Sequence, residues 1–209
     1  MNDARELALI FRRLYRAYGP QHWWPAETPL EVIVGAVLTQ NTAWKNVERA
    51  IANLKHHRLL SLERLARTPP VKLATIIRPA GFYNIKAQRL HSVVRWLRTR
   101  GGLTALGRIP TPELRGMLLR CHGIGPETAD SILLYALGRP VFVVDAYTRR
   151  VLNRYGLTAG NETYDQVQAL FHKALPRRAR LFNEYHALLV RLAKERCRAI
   201  PTCVGCPLA

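Results

Sequence analysis

The chain has 209 residues, 48% of them hydrophobic, and carries 32 Lys and Arg against 14 Asp and Glu, a formal charge of +18. That length suits one large or two small domains with a real core; the composition excludes intrinsic disorder, and no apolar run nears the roughly 18 residues that a membrane span needs. A charge of +18 points to a polyanion, most simply nucleic acid, although 26 of the 32 basic residues are Arg and an arginine-biased genome would give a similar surface.

Helical periodicity dominates along the chain, and about ten short helices are expected, with no internal repeat and no low-complexity linker. The N-terminal MNDARELALIFRRLYRAYG is amphipathic and carries acids, so it reads as a helix and not as a secretory signal. It stops at Gly19-Pro20. Thr42 precedes AWKNVERAIANLK, Ser61 precedes LERLAR, Thr111 precedes PELRGMLLRC, and Thr163 precedes YDQVQALFHKAL; each is read as a helix N-cap, with Pro112 at a first helical position. Gly81 and Gly101-Gly102 read as stops. Val141–Val144 is the one β-like stretch and is too short to build a sheet. The fold class expected is all-α.

The stretch 118–137, LLRCHGIGPETADSILLYAL, reads as a helix, a tight turn at Gly123-Ile124-Gly125, and a second helix from Pro126. Two glycines let the backbone turn sharply and approach a ligand, and a helix N-terminus favours an anion such as a phosphate. A plain helical hairpin with Ile124 in the core fits the same letters. Further on, VVDAYTRR places Asp145 at the start of a helix. A carboxylate there can cap the helix and also face a cleft. Cys197, Cys203 and Cys206 fall in the last thirteen residues, with Cys121 far upstream. Clustered thiolates read better as soft metal ligands than as a disulfide framework, and an iron–sulfur cluster and zinc both fit.

The order of CHGIGPETA, then VVDAYTRRV, then C-terminal cysteines resembles the helix-hairpin-helix DNA glycosylases of the endonuclease III superfamily over nearly the whole chain. VGAVLTQNT at 34–42 and RPAGFYNIKAQRL at 78–90 look like that family's DNA-facing segments. The resemblance implies two helical lobes about a central cleft: a six-helix barrel at 29–137 bearing the hairpin, and a second lobe from 1–28 and 138–209. It implies that Gly123, Ile124, Gly125 and Thr128 grip the DNA backbone. Gln40 would face the opposite strand and Phe82 would wedge into the stack. Lys86, Arg89 and Arg95, on the helix that follows, are candidates for phosphate contacts.

Bifunctional members carry a lysine two residues after the second hairpin glycine. Here Glu127 stands there, and a carboxylate cannot form a Schiff base, so the resemblance implies a glycosylase without a lyase step. Asp145 is then the main catalytic group, stabilising oxocarbenium-like charge and orienting water; Glu127 is either a second pocket acid or a first-turn acid favoured by the helix dipole. Trp23, Trp24 and Pro25, with Trp44, look like the branch that excises 3-methyladenine, in which aromatic rings sandwich a cationic alkylated purine. The cysteines match the first three of that superfamily's four [4Fe–4S] ligands, with the fourth not identified. Implied too are a damaged double-stranded DNA partner, no membrane, a monomer, and a prokaryotic cytoplasm next to the nucleoid. Two other functions remain open: an endonuclease III-like enzyme for oxidised pyrimidines or mismatched thymine, and a non-catalytic binder of DNA structure.

Overall fold

A computed structural model describes residues 3–209; residues 1 and 2 of the expected N-terminal lobe lie outside the described residues. Twelve α-helices, one 3-10 turn and one π turn make up its regular structure, and no strand occurs among the described residues. The all-α class therefore holds, and Val141–Val144 runs extended without pairing. The longest helices reach 16 or 17 residues, beyond the short helices expected.

The chain divides into two compact units. One is Ala26–Leu137. It holds α2 (Pro29–Leu38), α3 (Trp44–His56), α4 (Leu62–Arg67), α5 (Pro70–Ile76), the 3-10 turn Arg78–Ala80, α6 (Tyr83–Thr99), α7 (Gly102–Leu106), α8 (Thr111–Leu119), α9 (Pro126–Ser131) and the π turn Ile132–Ala136. Helix α2 is its centre. Val32 to Leu38 are all buried, so this helix is apolar all round and is packed by α3, α6, α9 and the π turn. Its one buried acid, Glu31, is met by Lys55 of α3 at 3.0 Å.

The hairpin helices α8 and α9 are tied by a bidentate ion pair. Arg115 Nε and Nη2 donate to Asp130 Oδ1 and Oδ2 at 2.8 and 3.1 Å, and Asp130 is fully buried. Replacing Asp130 by alanine removes both of these charge-assisted bonds from the half-buried guanidinium, so a loss of about 3 kcal/mol is expected, read as a fall in the thermal unfolding midpoint.

The second unit joins the N-terminal segment through Pro25 to Gly138–Ala209. It holds α1 (Asp3–Tyr18), α10 (Ala146–Tyr155), α11 (Tyr164–Ala174) and α12 (Ala179–Glu195), with α12 packed on both α1 and α10. Its core is aromatic: Phe142 stacks on Phe171 at 3.5 Å and meets Phe182 and Tyr185 edge-on.

The caps divide by how local they are. Ser61, Asp145 and Thr163 accept from backbone N–H groups three residues on, and Thr163 with Gln166 completes a capping box. Thr42 and Thr111 do not cap. Helix α3 begins at Trp44 after Ala43, and the Thr42 hydroxyl instead donates to Ala80 O at 2.5 Å. Helix α8 begins at Thr111 itself, after Pro110, which puts Pro112 second.

Candidate active site

The extended segment Val141–Val144 delivers Asp145. All four residues are buried, so their backbone groups need partners. Side chains of α11 supply them: Phe142 N donates to His172 Nε2 at 2.9 Å, Gln168 Nε2 donates to Phe142 O at 2.6 Å, and Val144 N donates to Tyr164 Oη at 3.3 Å. The strand-like entry is thus held without a sheet, and Asp145 emerges at the positive end of α10.

Asp145 Oδ1 accepts from Thr148 N at 2.7 Å, and Oδ2 lies 3.4 Å from His186 Nε2 on α12. Burial alone would raise this carboxyl, but the charge and hydrogen bonding of His186 and the Thr148 N–H outweigh burial and hold it below the ordinary carboxylate value. The pairing therefore contributes stability in full above the ordinary carboxylate pKa, and that contribution is lost as pH falls through the lower folded value. Replacing His186 by phenylalanine removes the partner and leaves the burial, so the Asp145 carboxyl is expected to protonate at higher pH. Carboxyl carbon NMR against pH checks this.

The hairpin turn lies in the other unit. Gly123 has φ +78°, and a Cβ there would stand 2.2 Å from Arg89 Cγ, so the stem of Arg89 lies directly over it. Ile124 is 5% exposed and its N–H donates to Cys121 O. Its side chain belongs to the core, as the plain-hairpin reading of the same letters had it. Gly125 is exposed and a Cβ would meet nothing within 4 Å. Thr128 is 6% exposed and its hydroxyl accepts from Gln40, which corrects its reading as a DNA contact. Gly123→Ala should cost about 1–3 kcal/mol, from the left-handed backbone and the displaced arginine together; thermal unfolding reads it.

Gln40 is tied to the same turn. Its Nε2 donates to Gly123 O at 3.1 Å and Thr128 Oγ1 at 2.9 Å, and Arg89 Nη1 donates to its Oε1 at 2.5 Å. Arg89 is thus engaged with Gln40 rather than offered to a phosphate. Lys86 is a plain correction: it is 1% exposed, and its ammonium donates to Leu38 O, Thr42 Oγ1 and Ala80 O at 2.6–2.8 Å. A helix lysine reads as surface from sequence, but here three oxygens from two loops draw it inward. Burial, and then Arg89, push its pKa down to about 8. Phe82 stands out, 67% exposed with φ +46°. Arg95 is exposed on α6. Arg100 and Arg120, not singled out from sequence, join Trp96 and His122 around a cavity of about 430 Å³ next to the hairpin turn.

Trp23 and Trp24 meet edge-to-face at 6.0 Å, half-buried, with Pro25 exposed after them. Lys194 Nζ lies 5.9 Å from the Trp23 ring and 5.7 Å from the Tyr147 ring. Trp23 also borders a cavity of about 320 Å³ with Gln21, Val190, Lys194 and Glu195. Trp44 belongs to the other unit, where its Nε1 donates to Glu48 Oε1 at 2.9 Å. Glu127 is exposed in the first turn of α9, also in that unit, whereas Asp145 lies in the unit built from both ends of the chain.

Cys197, Cys203 and Cys206 line one cavity of about 530 Å³, where Arg154 Nη1 donates to Cys197 Sγ at 3.5 Å. Among the described residues, no group of three or more His, Cys, Asp or Glu converges to hold a metal ion. The thiols are soft enough for iron, and a four-iron cluster takes four ligands, of which these three would be candidates. Cys121 lies in the other unit, where burial pushes its thiol up.

Sequence reasoning missed His186 as a partner of Asp145 and Thr42 as a partner of Lys86. Neither pair carries a local signal, since each joins residues about forty positions apart.

With this geometry in hand, comparison with known proteins is specific. Residues 34–177 match the model of the HhH-GPD superfamily base excision DNA repair proteins. A provisionally named DNA repair glycosylase of Methanocaldococcus jannaschii is 49% identical over 202 residues, covering 95% of this chain and 92% of that one. Endonuclease III of Thermotoga maritima is 28% identical over 85% of this chain and 79% of its own. Among solved structures, H. pylori 3-methyladenine DNA glycosylase bound to 1,N6-ethenoadenine superposes with a TM-score of 0.79 and 31% identity, covering 93% of this chain and 98% of that one. A non-covalent endonuclease III–DNA complex gives a TM-score of 0.83 at 21% identity, over 98% and 92% of the two chains, a likeness of fold.

Proposed function

The chain belongs to the HhH-GPD superfamily of base excision DNA repair proteins and is a DNA glycosylase of that superfamily, and from that premise we propose a monofunctional enzyme that hydrolyses the N-glycosidic bond of alkylated purines in duplex DNA. The observation that carries the reading is the pairing of residues at the two chemical positions. A carboxylate, Glu127, stands where a Schiff-base lysine is needed for strand cutting, and Asp145 stands ionised and capped at a helix start.

On this reading Ala26–Leu137 is the barrel lobe, and Asp145, in the unit built from both ends of the chain, acts on the flipped nucleotide. Bond breaking builds positive charge on the sugar. The Asp145 carboxylate, held below its ordinary pKa by His186 and Thr148, is ready to stabilise that charge and orient water. Glu127, exposed in the first turn of α9, supplies a carboxylate in place of the lysine that strand cutting needs. The identity to a 3-methyladenine glycosylase over nearly the full chain supports the alkyl-purine branch. So does the aromatic pair Trp23–Trp24 with Trp44: aromatic faces attract a cationic base, and such a base is already a good leaving group.

Duplexes carrying single lesions test this: a 3-methyladenine analogue, 7-methylguanine, hypoxanthine, thymine glycol, uracil and a T·G mismatch. Release of the alkylated purines, with strands breaking only after hot alkali, is the expected result. Strand breaks without alkali would defeat the monofunctional reading, and no release from any duplex would favour a non-catalytic binder.

A further inference from the structure

We propose that Lys86 is a positioning residue that fixes the distance between Gln40 and Phe82, the two residues read as filling the gap a flipped base leaves. The inference rests on that reading of the two residues and not on which base is excised.

The observation is a closed node of hydrogen bonds. The Lys86 ammonium donates to Leu38 O at 2.8 Å, Thr42 Oγ1 at 2.6 Å and Ala80 O at 2.8 Å, and the Thr42 hydroxyl donates onward to Ala80 O. Leu38 is two residues before Gln40, Thr42 two residues after it, and Ala80 two residues before Phe82. One ammonium thus holds both sides of the first loop and the near side of the second. Within these loops Asn41, Gly81 and Phe82 all sit at positive φ, and Phe82 projects into solvent, so the node lies between two tight turns.

The residue type fits the task. Three tetrahedral donors match three oxygens, which the planar guanidinium of arginine cannot do from one point. Leu38 O is at the negative end of the buried helix α2, which favours a cation. None of the three partners is a carboxylate, so the charge is not there for an ion pair. Burying an ammonium costs several kcal/mol, and a methionine would fill the space without that cost. What the ion gives in return is one geometry for two loops. From the same helix, Arg89 holds the Gln40 amide against the hairpin, so α6 registers Gln40 twice, through its backbone and through its side chain.

The test uses the full chain and a duplex with a tetrahydrofuran abasic analogue, 2-aminopurine being placed opposite it. Anisotropy reads binding, and 2-aminopurine fluorescence reads insertion into the stack. Wild type should bind and brighten the probe. Lys86→Met should bind within about twofold, since Lys86 touches no phosphate, while the brightening falls about tenfold. Thr42→Val keeps the lysine, removes one partner, and should give an intermediate loss of brightening at equal occupancy with a modestly lowered unfolding midpoint, so it decides the matter if Lys86→Met does not fold. Wild-type brightening from either folded variant at equal occupancy would overturn the proposal. A wild-type protein that binds without brightening the probe would instead remove the gap-filling reading on which it stands. Base release plays no part in this readout, so failure of the alkyl-purine reading is seen separately.

Discussion

Asp145→Asn is expected to slow base release about a hundred- to a thousandfold while leaving duplex affinity nearly unchanged. Asparagine is the informative replacement because it keeps the other role of the residue. The Asp145 side chain caps α10 through Thr148 N, and asparagine caps as well as aspartate does. The helix start, the buried entry Val141–Val144 and the fold all survive, so a loss of activity reports the charge alone. Alanine removes both roles and should cost about 1 kcal/mol of stability in addition. Single-turnover base release and binding by anisotropy, on the same duplex, separate the two effects.

Affinity for duplex DNA is expected to fall about a thousandfold or more between 50 and 200 mM salt, because a protein of charge +18 that neutralises six or more phosphates releases that many counterions. The structure changes which side chains do this. Lys86 is withdrawn into the interior and Arg89 bonds Gln40, whereas Arg95, and Arg100 and Arg120 beside the hairpin turn, are exposed cations available for phosphate contacts. Replacing Arg100 and Arg120 together by alanine should lower the slope of log affinity against log salt by about two. The same change at Lys86 should leave the slope unaltered.

The parts of this molecule that were legible in its sequence are those set by near neighbours. Ser61, Asp145 and Thr163 cap their helices because the groups they satisfy are three residues away. The hairpin turn follows from Gly123, whose positive φ and crowded Cβ position both demand glycine. Phe82 could be placed in the order of motifs but not assigned to surface or core; its exposure depends on Gly81 and its own left-handed backbone turning the ring out. Lys86, Thr42 and His186 were illegible for one physical reason. Each polar group is drawn to a partner brought near only by tertiary packing: Leu38 and Ala80 for Lys86, Ala80 for Thr42, Asp145 for His186. A periodicity argument assigns such residues to the solvated face. The cysteines show the opposite limit: their clustering suggested soft metal ligands, the family resemblance an iron–sulfur cluster, and the folded segment gathers the three thiols along one cavity wall.

Hydrolytic removal of an alkylated purine by Asp145 without strand cutting is open to a single-turnover reaction on a duplex with one 7-methylguanine, scoring free base and strand integrity before alkali. Free 7-methylguanine from intact strands is the expected result, and Asp145→Asn should lose it. Strands cut before alkali, or full release by Asp145→Asn, would refute the mechanism.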